Sequence, residues 1–153
     1  MAKIIDSFLF FQELDLLEIR LEYLYEKVDN FLILEARQTF TGKIKPFNFE
    51  NNKSRFEKYM DKIIYFKVED VHDNYASIVN FLKNKNDQAH LELLDILENH
   101  THYPKDKLHW VLDTYHREML HIAYKKYAND DDMVLLSDLD EIPLSEILND
   151  KSL

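Results

Sequence analysis

Residues 4–35 read IIDSFLFFQELDLLEIRLEYLYEKVDNFLILE, and the fold class follows from this stretch. Ile4 to Phe11 is a run of apolar, β-branched and aromatic residues, the composition of a strand covered on both faces. Leu14, Leu17, Leu21, Leu24 and Val28 follow at steps of three and four. They put one apolar stripe on a helix whose other faces carry Glu18, Glu22 and Glu26. Asn30 punctuates, and Phe31-Leu32-Ile33-Leu34 is a second buried run ending at Glu35. Strand, helix, strand in that order predicts two parallel neighbours joined by a crossover helix.

Beyond this unit, residues 36–52 hold the only glycine, Gly42, together with Pro46, and read as a surface loop of the kind where ligands gather at strand ends. A short helical piece around Arg55 to Asp61 leads into a third strand, Ile63 to Val68. Asn74 to Asn99 is polar and helical, with a break at Asn84-Lys85-Asn86-Asp87. Pro104 is expected in the first turn of a helix whose apolar face is Leu108, Val111, Leu112, Tyr115, Met119 and Ile122, running to Tyr127. After the polar turn Asn129 to Asp132, Met133 to Leu136 reads as a fourth buried strand, and Pro143 forbids its extension past Ile142. The expectation is an α/β, doubly wound, mostly parallel sheet flanked by helices, in a single domain over residues 1–153.

Composition narrows the function. With 153 residues, 46% of them hydrophobic, the chain can bury a sizeable core. Its 29 acidic and 19 basic residues leave a net charge of −10 with no basic stripe, which argues against a nucleic-acid partner. The absence of cysteine excludes disulfides, thiolate metal sites and cysteine nucleophiles, and fits a reducing compartment, so a cytoplasmic location is the expectation. Phe8 to Phe11 is too short for a signal segment or a membrane span. A single glycine cannot build the glycine-rich phosphate cradles of P-loop or dinucleotide-binding proteins.

Ser137-Asp138-Leu139-Asp140-Glu141 follows the fourth strand, at the edge where open α/β sheets bind ligands. In extended backbone Asp138 and Asp140 point to the same side and can share a hard divalent cation, Mn²⁺ or Mg²⁺, that also takes diphosphate oxygens. The alternative is a solvated acidic turn. Arg117 can grip a diphosphate with its two-pronged guanidinium, or simply pair with Asp113 one helical turn earlier. His100 with His102, and His109 with His116, read as solvated side chains and not as zinc ligands. Phe40 and Trp110 are the aromatic residues outside the core runs, and so the candidates for stacking on a sugar.

Residues Ile5 to Leu21, IDSFLFFQELDLLEIRL, resemble the opening of glycosyltransferase family 17. The resemblance continues in Leu34-Glu35-Ala36 with Thr39-Phe40-Thr41-Gly42-Lys43 and Lys45-Pro46, in Trp110, Asp113, Tyr115 and Arg117, and in Asp138-Leu139-Asp140-Glu141-Ile142-Pro143. It implies a GT-A-like, Rossmann-like fold, a UDP-sugar donor (UDP-N-acetylglucosamine in the characterised branch), a divalent metal, and inverting transfer to a glycan hydroxyl. Under that implication Asp138 and Asp140 hold the metal and Arg117 touches the diphosphate. Glu13 and Glu35 accept hydrogen bonds from ribose or base, and Glu141 is available as general base. His116 and Glu118 depart from the glutamine and asparagine that usually flank the family's arginine. Family members also continue beyond the equivalent of Pro143, so the chain is expected to be a donor-binding half. A homodimer is then expected to cover the Met133–Leu136 edge and the apolar residues Ile142, Leu144, Ile147, Leu148 and Leu153. The rival reading is a non-catalytic module that binds a nucleotide sugar or a protein.

Overall fold

The computed structural model describes residues 2–149. Four strands, β1 (Ile4–Phe10), β2 (Asn30–Ala36), β3 (Ile63–Val68) and β4 (Met133–Leu136), form one all-parallel sheet in the order β3-β2-β1-β4. Helix α1 (Leu14–Leu24) joins β1 to β2. Helix α2 (Asn48–Asn51) and a 3-10 stretch, Lys53–Tyr59, join β2 to β3. Helices α3 (Tyr75–Lys85), α4 (Gln88–Asn99) and α5 (Leu108–Tyr127) lie between β3 and β4. The fold is α/β and Rossmann-like, as the strand and helix alternation predicts.

The two-residue period of the strands divides the core between two faces. Ile4, Phe8, Phe10, Phe31 and Ile33 pack with Leu17, Leu21 and Leu24 of α1 and with Phe49 and Phe56. Leu34, Ala36 and Val68 pack with Ile78, Leu82, Leu93, Leu112 and Tyr115 of α3, α4 and α5. The break expected at residues 84–87 is a helix stop followed at once by a helix start. Asn86 takes the left-handed conformation at φ 51°, and the Asp87 carboxylate accepts from the His90 amide at 3.0 Å.

Three expectations are corrected. Pro104 is not in the first turn of α5: its carbonyl accepts from the Lys107 amide at 3.3 Å in a turn that precedes the helix, whose apolar stripe starts at Leu108. β4 is not fully buried, because it pairs only with β1 and forms the sheet edge, leaving Leu136 57% exposed. Leu148, expected to lack part of its burial, is buried in the α1-side core, with the partly buried Ile142 packed against it; Leu144 and Ile147 are exposed, and Leu153 lies outside the described residues. No described helix is long and apolar enough to cross a membrane.

From β1 the chain builds outward to β2 and β3 on one side, then returns to place β4 on the other. The crossovers therefore diverge between β1 and β4, and a crevice opens beyond the carboxyl ends of these two strands.

Candidate active site

Two adjoining cavities of about 350 and 280 Å³ occupy that crevice, and both are lined by Leu9 from β1, Arg117 from α5 and Asp138 from the segment after β4. Ser137, Glu141, Glu118, His121 and Tyr124 help to complete the larger. Phe11, Glu13, Leu16, Phe40, Leu139 and Asp140 complete the smaller. The larger by itself, and the two joined, reach the size of small-molecule sites, which run from about 300 to 1,000 Å³. Five of the six residues singled out in the sequence thus meet in one place: Glu13, Arg117, Asp138, Asp140 and Glu141.

Glu35 does not join them. Its fully enclosed carboxylate accepts from Lys45 Nζ at 2.5 Å, from the Asn48 and Phe49 amides at 2.7 and 3.0 Å, and from the Tyr65 hydroxyl at 2.8 Å. Four donors leave it nothing to offer a ribose, and its role is to fasten the start of α2 to the end of β2. Burial, with the Glu35 carboxylate beside it, pushes the Tyr65 phenol well up.

The acidic segment is a turn, not extended backbone. The Glu141 amide donates to the Asp138 carbonyl at 3.0 Å, and Glu141 Oε2 accepts from the Asp138 amide at 3.1 Å. Alternation therefore does not put Asp138 and Asp140 on one side; the turn brings both to the smaller cavity instead. The segment is bound from the core side by Arg20, a fully buried residue of α1. Its Nε and Nη2 donate to the two oxygens of the equally buried Asp6 at 2.8 and 2.6 Å. Its Nη1 donates to the carbonyls of Asp138, Leu139 and Glu141 at 2.7, 3.0 and 3.4 Å, and Nη2 to Ser137 Oγ at 2.7 Å. Neither Asp6 nor Arg20 stands out by motif. The signal is an acid inside a buried strand and an arginine three residues after Leu17, on the apolar side of its helix, since such residues are rarely buried unless paired.

The pairing of Arg117 with Asp113 is seen, and a second carboxylate joins it. Its Nε donates to Asp113 at 3.0 Å and its Nη1 reaches across the crevice to Asp138 at 2.5 Å. The hydrogen bond to Asp138 raises its pKa above the usual arginine range, against the cost of partial burial. Among the described residues no three histidine, aspartate or glutamate side chains converge to hold a metal by themselves. The hard oxygens of Asp138 and Asp140 fit a divalent cation that takes its remaining ligands from a diphosphate or water.

Phe40 owes its place to Gly42. Gly42 has φ 90°, its amide donates to the Thr39 carbonyl at 3.0 Å, and a Cβ there would stand 3.0 Å from Leu108 Cδ2. This tight loop sets Phe40 edge-on to Phe11, 4.6 Å between centroids, in the wall of the smaller cavity. Trp110 is exposed on α5 and lines neither cavity. Behind Phe40, at 6.0 Å, lies His116, which is 1% exposed and has no hydrogen bond at either ring nitrogen. The solvated reading of this residue is corrected: burial holds its pKa down to about 4 and keeps it neutral. His100 and His102 hydrogen-bond to one another at 2.7 Å.

The profile of glycosyltransferase family 17 matches residues 1–102. The chain belongs to this family. The matched stretch contains β1, α1 and the Gly42 loop, hence Asp6, Glu13 and Arg20, and ends before Arg117 and the 138–141 turn. No curated protein and no solved structure matches the chain. A family 17 glycosyltransferase moves a sugar from an activated donor to an acceptor.

Proposed function

We propose that this family 17 chain binds a UDP-sugar, UDP-N-acetylglucosamine first among them, in the crevice between β1 and β4 together with Mn²⁺ or Mg²⁺, and transfers the sugar with inversion to a glycan hydroxyl. The observation that carries the reading is the Arg117–Asp138 bridge across the crevice. Within the protein these opposite charges neutralise each other. A cation alone must pull Asp138 from Arg117, and a diphosphate alone must pull Arg117 from Asp138. The two together exchange partner for partner, so each makes room for the other.

In this reading Asp138 and Asp140 hold the ion, which when bound stabilises the charge of the departing diphosphate. Arg117 contributes a second positive contact to the same oxygens. Glu13, whose Oε2 accepts from the Gln12 amide at 3.0 Å, offers Oε1 to a ribose or base. The acceptor oxygen attacks the anomeric carbon from the face opposite the diphosphate. The carbon–oxygen bond to UDP breaks with its electron pair, and the acceptor proton passes to Glu141, at the wall of the larger cavity.

Titration calorimetry with UDP tests this. Binding is expected in Mn²⁺ and to weaken about tenfold or more in EDTA, and Asp140→Ala should abolish the metal dependence. Equal binding in EDTA, or an unchanged metal dependence in Asp140→Ala, removes the metal assignment. Metal-dependent UDP binding with no transfer to any glycan offered supports the non-catalytic module.

A further inference from the structure

We infer that Asp6 and Arg20 are positioning residues of this site: their buried pair templates the turn that presents Asp138, Asp140 and Glu141, and thereby sets the affinity for metal and donor. The inference rests on the reading of the crevice proposed above. A guanidinium has five N–H donors, and here all find acceptors. Two go to Asp6, one to Ser137 Oγ, and the pair on Nη1 is shared among three carbonyls of one turn. Ser137 Oγ in turn donates a hydrogen bond to the Glu141 carbonyl at 3.0 Å, closing the turn from the other side.

With these carbonyls drawn to the core, the carboxylates stand on the crevice side. Asp138 meets Arg117, Asp140 lines the smaller cavity and Glu141 the larger. The pair transmits the rigidity of the sheet. Asp6 sits in β1, hydrogen-bonded to β2 on one side and β4 on the other, and fixes the fork of Arg20 from both prongs. Phe8 covers the guanidinium face at 4.5 Å. Core packing alone does not call for this arrangement, since a buried ion pair is often replaceable by apolar residues of similar volume without loss of stability. What an apolar pair cannot do is hold three carbonyls of the acidic turn.

That difference makes the test. The double variant Asp6→Leu/Arg20→Met removes both charges together and is expected to keep the sheet, read as unchanged hydrogen-exchange protection of the Leu34 amide in β2. The Glu141 amide, which closes the turn, should lose protection, and the Kd for UDP in saturating Mn²⁺ should rise about 10- to 100-fold, the usual effect of losing an outer partner of a metal ligand. Arg20→Lys, which keeps the charge but lacks the fork, serves if the double variant does not fold, with the same two readouts. Wild-type protection at Glu141 with wild-type UDP affinity overturns the inference, as does equal loss of protection at Leu34 and Glu141 in both variants. If the wild-type chain itself shows no Mn²⁺-dependent UDP binding, the donor reading falls, while selective exchange at Glu141 still decides whether the pair sets the turn.

Discussion

Arg117 holds Asp113 and Asp138 at once, and its side chain is about half exposed at 47%. An exposed pair of this kind adds only about 0–1 kcal/mol to stability, so its value lies in what it can release. Arg117→Lys keeps the charge but loses the planar fork that spans Asp113 and Asp138 and can grip a diphosphate bidentately. It should weaken Mn²⁺-dependent UDP binding about five- to tenfold with little change in Tm; a destabilised variant that binds normally would leave Arg117 an ion-pair residue only. His116 gives a different test. Its folded pKa of about 4 lies below the ordinary 6.5, first through burial, and His72 and Lys45 also oppose protonation while Asp70 favours it. Above pH 6.5 the ring is neutral in both folded and unfolded chains. As pH falls toward 4 only the unfolded chain takes up the proton, so the fold should lose at most about 3 kcal/mol over that window and no more below it. Urea midpoints at pH 7 and pH 4.5 should differ less in His116→Leu than in the wild type; an equal difference would show that His116 does not carry the effect. Both residues were visible as types in the sequence. Which carboxylate Arg117 reaches, and that His116 is enclosed, depend on what packs against α5.

The loop after β2 shows how an element can be named from sequence while its use stays hidden. One glycine in a polar stretch marks a turn, but not that its φ is positive or that it rests on Leu108 of α5. Gly42→Ala should cost about 1–3 kcal/mol in chemical denaturation, because a side chain at this φ is strained and its Cβ meets Leu108 Cδ2. Adding Leu108→Val should recover the contact but not the backbone part. Full wild-type stability of Gly42→Ala would show that the loop is free to rearrange and that Phe40 is not held. β4 teaches the same lesson. Met133-Val134-Leu135-Leu136 is as apolar as a central strand, yet composition does not record that no described strand pairs on its far side. The acidic turn is a third case: residues 138–141 were legible as a candidate site, but the arginine that binds their carbonyls lies more than a hundred positions away.

For the whole molecule, the open edge of β4, with Leu136 exposed, and the exposed Leu144 and Ile147 keep a symmetric dimer the expected state. Sedimentation at micromolar concentration checks it, and a clean 18.5 kDa monomer removes it. The covering of Ile142 and Leu148 within the chain already reduces the apolar surface that such a dimer would bury. Local periodicity was enough for the α/β class, the four strands, the five main helical segments and the motif after β4, because each rests on residues within a few turns of one another. Strand order, the crevice between β1 and β4, the enclosure of Glu35 and the Asp6–Arg20–turn relay lay beyond it. These depend on side chains that meet across 10 to 121 positions of sequence, and such meetings are set by how the sheet and helices pack, which no local pattern encodes.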